Sequence, residues 1–407
     1  MNQPQELNLA SPTFKANPYP VFTELRAHDP LHKITLQNGR SAWLVTRYQD
    51  AEKLLRDERF VKSMRNSLTP EEIAQQQSLF SQQSSFNFLS QHMLNADPPD
   101  HTRLRSLINL SFTPRLVEQW RSRIQALTDE LLDAIENKGE MDLIDQFAFP
   151  LPMMVISEML GVPDADRSKF RSWSNLVVEA AGNPEAFRQA ADQLLAFYQY
   201  MVQLIEDKRQ TPADDLLSKL ILAEAEGNKL SQQELVSMIF LLIIAGHETT
   251  VNLISNGVLA LLEHPEQFQL LKEQPELIKT AIEEFLRYRG PLMLATQRWA
   301  REDAEYEGKH IQRGDHILIA LSAANRDDEE FGAADKLDIT RRENRHLAFG
   351  KGIHYCLGAP LARLEGQIAI GTLVRRFPDL RLNADPQTLT WRPGSLIMGL
   401  NTLPVSF

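Results

Sequence analysis

The sequence predicts a mainly α-helical fold with a smaller β portion built from both ends of the chain. Three observations carry this. Apolar residues recur at helical spacing through most of residues 98–290. Strand-like alternation is confined to short pieces near the start and after Pro291. No Pro/Gly/Ser linker, internal repeat or block of like charge offers a boundary, so one domain over residues 1–407 is expected, with a short flexible N-terminus over residues 1–15.

Taken in order, residues 18–29 and 48–60 carry amphipathic helical patterns. Between them "LHKITLQNGRSAWLVTRY" reads as a hairpin, because Asn38-Gly39 suits a tight turn between β-prone runs. Residues 75–92 are rich in Gln and Ser but threaded with Phe80, Phe86 and Phe88. That pattern fits a solvated loop pinned by aromatics, or a lid whose rings face an apolar ligand. A long helix begins at Ser231, where Ser231 and Glu234 spell a capping box, and continues to about Pro265. At 1.5 Å per residue it is roughly 48 Å long. Mid-way its apolar run meets "AGHETT", residues 245–250. Glycine there costs about 1 kcal/mol relative to alanine, and a buried carboxylate costs more unless it is paired. The preceding "FLLIIA" is apolar all round, so the helix is read as buried and these groups as used inside the protein. After Pro291, "LATQRWA" and "HILIALSA" read as strands; residues 357–377 form a last helix, with Pro360 tolerated in its first turn.

Bulk properties narrow the function. A net charge of −11 argues against nucleic acid as a partner, since phosphate binding needs a basic face. The single cysteine allows no internal disulfide. The N-terminus has no basic region followed by an apolar run, and the longest strongly apolar stretch, residues 238–246, falls short of the roughly 20 residues that span a bilayer. A cytoplasmic protein with no membrane span is expected.

Several chemistries fail on their motifs. "HETTV" lacks the second histidine of a zinc-protease helix, and no CxxC pair occurs. Lys351 is not followed by Ser or Thr, so "GKGIHY" is no phosphate loop, and there is no G-x-S-x-G elbow. Cys356 remains. Most lone cysteines are buried small hydrophobes, but this one lies among Gly350, Gly352 and Gly358, just before a helix. Glycines let the backbone approach a flat partner closely. Helix N-terminal amides lower a thiol's pKa and stabilise a thiolate. A thiolate on such a loop suits a soft metal in a planar ring, and haem iron is one.

The pattern Phe349-x-x-Gly352-x-His354-x-Cys356-x-Gly358 resembles the haem-binding loop of the cytochrome P-450 (haem-thiolate monooxygenase) family. The resemblance extends from about Pro18 to the C-terminus. "AGHETT" is similar to that family's oxygen-binding groove, with Glu248 and Thr249 as its acid–alcohol pair and Ala245 and Gly246 beside the cofactor. Glu284-Phe285-Leu286-Arg287 resembles the family's E-x-x-R signature. Only its position distinguishes it, because Glu118/Arg121, Glu185/Arg188 and Glu206/Arg209 fit the same spacing. "DPPDHTRLR" supplies His101 and Arg105, and "TQRWA" supplies Arg298, where the family holds the haem propionates; His354 would be the fourth. Two positions depart from the family pattern: Asp328 stands where proline is usual, and Lys336 where an arginine often sits. Either Lys336 or Arg341 then completes the structural network with Glu284 and Arg287.

The resemblance implies the cytochrome P-450 fold, with haem b (iron protoporphyrin IX) between the long central helix and the cysteine-loop helix and Cys356 as its axial metal ligand. It implies insertion of one oxygen atom from O₂ into a lipophilic substrate, by hydroxylation or epoxidation. A haem-thiolate peroxygenase and a non-catalytic haem-binding sensor are the rivals. Glu248 and Thr249 speak for the first reading, because a proton-delivery pair serves O₂ reduction. The substrate pocket would be lined by Phe86, Phe88, Leu241, Ile244, Ala245, Met293, Leu294, Leu396 and Ile397. The overall resemblance is to bacterial enzymes that hydroxylate polyketides, macrolides or fatty acids. No flavin or iron–sulfur module is evident, so electrons are expected from a ferredoxin or flavodoxin with an NAD(P)H-dependent reductase. An acidic partner would dock near Arg103, Arg115, Lys351 and Arg363.

Overall fold

The strand-prone pieces at the two ends of the sequence pair with each other. The computed structural model describes residues 7–36, 39–75, 91–109, 112–180, 188–225 and 230–407. Among them the strands, in chain order, are β1 (Leu31–Thr35), β2 (Ser41–Val45), β3 (Phe60–Val61), β4 (Glu140–Asp142), β5 (Arg298–Ala300), β6 (Ala304–Tyr306), β7 (Lys309–Ile311), β8 (His316–Ile319), β9 (Arg381–Leu382) and β10 (Pro404–Ser406). A five-stranded sheet has the order β1-β2-β8-β5-β3, mixing N-terminal and C-terminal strands. A second sheet, β4-β10-β9, ties the chain's end to its middle. In the expected hairpin Leu31 pairs with Val45 and Thr35 with Ser41. Gly39 turns the chain at φ 76°, a left-handed angle that glycine adopts without steric cost. Its expected neighbour Asn38 lies outside the described residues.

The long helix forms as its cap predicts. It runs Gln232–Glu263; the Ser231 hydroxyl accepts from the Glu234 amide at 3.2 Å, and the Glu234 carboxylate accepts from the Ser231 amide at 2.8 Å. Its length and composition would suit a membrane span, yet 78% of its most apolar window is buried inside the protein, as in a core helix. Two glycines set how closely its neighbours approach. A side chain at Gly257 would meet Ile370 and Phe285 at 2.9 Å, and one at Gly366 would meet Leu253 at 3.1 Å. The long helix therefore packs tightly on the helix Ile278–Arg289, which carries Glu284, and on the cysteine helix, Ala359–Arg376.

The E-x-x-R pair in that middle helix differs by burial from Glu118/Arg121 and Glu206/Arg209; Glu185, of the third look-alike, lies outside the described residues. Glu284 and Arg287 side chains are both 0% exposed and bonded twice, at 2.7 and 2.8 Å. Arg287 also donates to the carbonyls of Asn325, Ala334 and Lys336 at 3.0, 2.7 and 2.9 Å. Arg341 approaches Glu284 at 3.2 Å, whereas Lys336 contributes only its backbone. Glu118/Arg121 and Glu206/Arg209 are pairs on the surface.

From Leu7 onward the N-terminal segment packs on the fold: Leu9 and Lys15 are buried, a short helix spans Pro12–Ala16, and Phe14 meets Phe22 edge-on at 5.5 Å. Packing against the distant residues 391–394 anchors it. The Gly394 amide donates to the Ala10 carbonyl at 3.2 Å, and the Lys15 ammonium donates to the Arg392 carbonyl.

Candidate active site

Cys356 lies where the loop enters the cysteine helix. Its amide donates to the Phe349 carbonyl at 2.9 Å, and its sulfur receives the amides of Gly358 and Ala359. Burial nevertheless pushes the thiol up; the two amides and Arg105 pull the other way without prevailing. The helix terminus alone therefore does not yield the thiolate that the sequence led us to expect, and a bound cation would be needed to invert the balance. Phe349 shields the loop, with the Arg363 guanidinium 4.5 Å over its ring. Gly352 sits at φ 72°, and a side chain there would strike the Leu55 carbonyl at 2.7 Å. Among the described residues no group of His, Cys, Asp or Glu side chains could hold a metal ion by itself.

Beside the loop, cation-forming side chains gather without enough anions. The His101 and His354 rings are 4.3 Å apart. His101 Nε2, Arg298 Nε and His92 Nδ1 are buried with no hydrogen-bond partner in the protein. Burial depresses His354 strongly, helped by Lys62, His101, Arg298 and Arg105. Burial also brings Arg298 down to about 10 and His92 to about 4, and pushes Lys62 far below its ordinary value. The Lys62 ammonium is held by the Thr296 hydroxyl and, at 3.1 Å, by the Gln297 carbonyl. Asp97, the carboxylate that acts on this group, accepts from the amides of Lys62 and Ser63 and from Asn66, at 2.7, 3.1 and 2.7 Å. Orphaned buried donors of this kind are costly unless carboxylates meet them. A planar group bearing two carboxylates and a thiolate-binding metal fits the residues present. Lys62 and His92 were not singled out in the sequence. Lys62 follows a two-residue strand and His92 ends the Gln/Ser stretch, so neither had a local signal.

The other wall is the long helix. Most of its residues are buried, but Ile244, Ala245, Gly246 and Thr249 are accessible at its centre, along one face. A side chain built at Gly246 would find nothing within 4 Å. The helix is unbroken here, so Gly246 contributes space by lacking a side chain. The Thr249 hydroxyl donates to the Ala245 carbonyl at 2.7 Å. Glu248 points elsewhere: it is buried and pairs with Arg392 at 3.1 Å. Burial raises its carboxyl, and Arg392 followed by Lys15 offset part of that rise. The structure does not bring the Glu248 carboxylate onto Thr249, because successive helical side chains diverge by about 100°.

The expected pocket residues divide. Leu396 (40% exposed) and Ile397 are accessible, and a bridge between Ile397 and Leu292 joins their loop to residues 291–294. Leu241 and Leu294 lie just beneath the surface. Met293 does not line a pocket. It is 0% exposed within the main core, because its amide pairs with the Leu396 carbonyl at 2.9 Å and turns its side chain inward. Phe86 and Phe88 lie outside the described residues. Of the four cations proposed for docking, three are engaged: Arg103 by Glu234, Lys351 by Glu52 at 3.5 Å, and Arg363 by Glu283 at 2.7 Å. Arg115 is exposed.

A cysteine under helix amides, buried basic side chains with unmet donors beside it and an accessible face at the centre of the long helix fit a planar metal cofactor. Comparison with known proteins places it among its relatives. The family model for cytochrome P450 matches residues 7–398. The chain is 46% identical over 397 residues to the polyketide biosynthesis cytochrome P450 PksS of Bacillus subtilis (strain 168), covering 97% of this chain and 96% of that protein. The solved structure of PksS superposes with a TM-score of 0.90, covering 98% of this chain and 99% of that one. A myxobacterial cytochrome P450, CYP267B1, in complex with myristic acid, is 42% identical with a TM-score of 0.90, covering 98% of each chain. P450BioI, in complex with acyl carrier protein ligated to hexadec-9Z-enoic acid, is 39% identical with a TM-score of 0.86, covering 98% of this chain and 100% of that one. The chain belongs to the cytochrome P450 family. It is a haem-dependent monooxygenase that inserts one oxygen atom from O₂ into a lipophilic substrate, with electrons from a redox partner.

Proposed function

We propose that the chain, acting as one domain over residues 1–407 in the cytoplasm, oxidises long acyl or polyketide chains with haem b held at Cys356. The observation that carries this reading is the Cys356 sulfur beneath two amides, together with the buried, unpartnered nitrogens of His92, His101 and Arg298. The substrate class rests on the accessible apolar strip of Ile244, Ala245, Leu396 and Ile397, and on the fatty-acyl and polyketide relations of the similar proteins. Its electrons come from a ferredoxin or flavodoxin served by an NAD(P)H-dependent reductase.

When bound, the haem supplies the dioxygen chemistry that no side chain can. The protein's own groups bind, orient and deliver protons. Cys356 would be the axial ligand, with the amides of Gly358 and Ala359 and the charge of Arg105 stabilising its sulfur. His101, Arg105, Arg298 and His354, joined by Lys62 and His92, would take the two propionates. Ala245 and Gly246 leave room, bearing a methyl group and no side chain. The Thr249 hydroxyl donates to Ala245, so its lone pairs are free to accept from water; rotating, it can pass a proton to the reacting oxygen. Glu248, buried and held by Arg392, would need a bridging water to reach that hydroxyl. Leu294 and the apolar strip keep bulk water out.

The test is optical. The holoprotein should give the red-shifted ferrous–CO Soret band of thiolate ligation, and Cys356→Ala should lose it. A normal band in that variant would remove Cys356 from the metal. Titrating ferric protein with a long-chain fatty acid, free or on a carrier protein, should shift the Soret band to the blue. A shift with a sugar and none with either acyl form would overturn the substrate class.

A further inference from the structure

Lys15 is completely buried on a segment that carries no functional motif. Its ammonium donates to the backbone carbonyl of Arg392, and the guanidinium of Arg392 donates to Glu248 at 3.1 Å. Three elements thus meet through charged groups: the N-terminal helix, the loop around residues 391–400 and the centre of the long helix. The same loop is fastened along that helix, where Asn256 donates to the Met398 carbonyl at 2.8 Å. The charged groups acting on Lys15 are Glu248 and Arg392, and those acting on Glu248 are Arg392 and Lys15. A buried ammonium is retained in a fold only where an anion compensates it. The acidic group whose charge acts on Lys15 is Glu248, while the ammonium itself is held by the Arg392 carbonyl.

We propose that Lys15 is a positioning residue for proton supply: by holding the backbone of Arg392, whose guanidinium pairs with Glu248, it keeps the Glu248 carboxylate in place and adds positive charge to its surroundings, so the N-terminal segment influences the pH at which Glu248 works. The inference rests on Glu248 belonging to the relay. In each passage the carboxylate takes a proton from a solvent-side water, gives it through water to Thr249, and returns to its anionic form. Burial raises the Glu248 carboxyl. The two cations counter that, Arg392 more than Lys15. The Lys15 ammonium itself is brought down by burial to about 8, so it carries its charge at neutral pH. Removing that charge moves the Glu248 titration to higher pH.

The experiment compares wild-type holoprotein with Lys15→Met, Lys15→Gln and Glu248→Gln. The C=O stretch of the protonated carboxyl, followed by infrared difference spectroscopy of the resting ferric protein across pH, reads Glu248 without turnover and is assigned by its loss in Glu248→Gln. Product formed per NAD(P)H oxidised, measured across the same pH range, reads the relay. Both neutral Lys15 variants should move the carboxyl titration to higher pH, and the coupling profile with it. An unmoved carboxyl titration in both variants overturns the role of Lys15. Loss of the ferrous–CO band in both also overturns it, making Lys15 a folding residue. A coupling profile unchanged by Glu248→Gln removes Glu248 from the relay, a separate failure that the infrared titration of the Lys15 variants distinguishes.

Discussion

At Thr249 a hydroxyl stands on the accessible face of the long helix, donating to a carbonyl one turn back at 2.7 Å. Such back-bonding weakens a helix slightly and is not needed to hold one together. A packing role would be served as well by valine; a relay would not, because only a hydroxyl both accepts and donates. Thr249→Ala should therefore keep the ferrous–CO band and the substrate-induced Soret shift, and still oxidise NAD(P)H. Product per NAD(P)H should fall severalfold while released hydrogen peroxide rises to match. Wild-type coupling in the variant would make Thr249 a packing residue. The neighbouring Thr250, buried and bonded to the Gly246 carbonyl at 3.0 Å, is the internal control.

Helices whose apolar period and caps agree were legible in the sequence, and the long helix starts at the capping box that Ser231 and Glu234 spell. Cys356, His101, Arg298 and the Glu284–Arg287 pair were legible because family motifs mark them. Features made by distant contacts were not. Lys15 meets Arg392 across 377 positions and Glu248 meets Arg392 across 144, so no local pattern announces either. Met293 was misread because a short apolar run does not reveal which alternate side chains face the core until its strand partner is known. The cysteine helix holds another group without a motif. Burial alone raises the Glu365 carboxyl to about 8, and its Oε2 has no partner in the protein. Between the ordinary value of 4.5 and about 8, the folded state keeps a proton that the unfolded chain releases. The contribution to stability is then fully present below 4.5 and is lost as pH rises through about 8. Each pH unit in that window weakens the wild type by up to about 1.4 kcal/mol. Glu365→Gln keeps the shape and cannot ionise. Its melting temperature should match the wild type at acid pH and exceed it increasingly toward alkaline pH. A gap constant across that range would mean that a counter-charge accompanies Glu365.

Across the whole molecule the two chain ends close over the same helix. Strands β1, β2 and β3 share a sheet with β5 and β8, and the N-terminal segment is bonded to the loop at residues 391–394. Residues 7–17 are therefore part of the load on the long helix, and removing them should cost stability as well as function. Burying one large apolar side chain is worth roughly 1.5–3 kcal/mol. Deleting residues 1–17 withdraws Leu9 and uncovers the Phe22 edge that Phe14 covers. A loss of about 3–6 kcal/mol follows, enough to lower the melting temperature by several degrees. The deletion also takes Lys15 from Glu248, so it should reduce product per NAD(P)H. Leu9→Ala separates the two effects. It leaves a small void without removing a charged group and should lower the melting temperature with coupling unchanged. If the deletion leaves the melting temperature where it was, the segment is a passenger on the surface and the clamp across the chain ends does not exist.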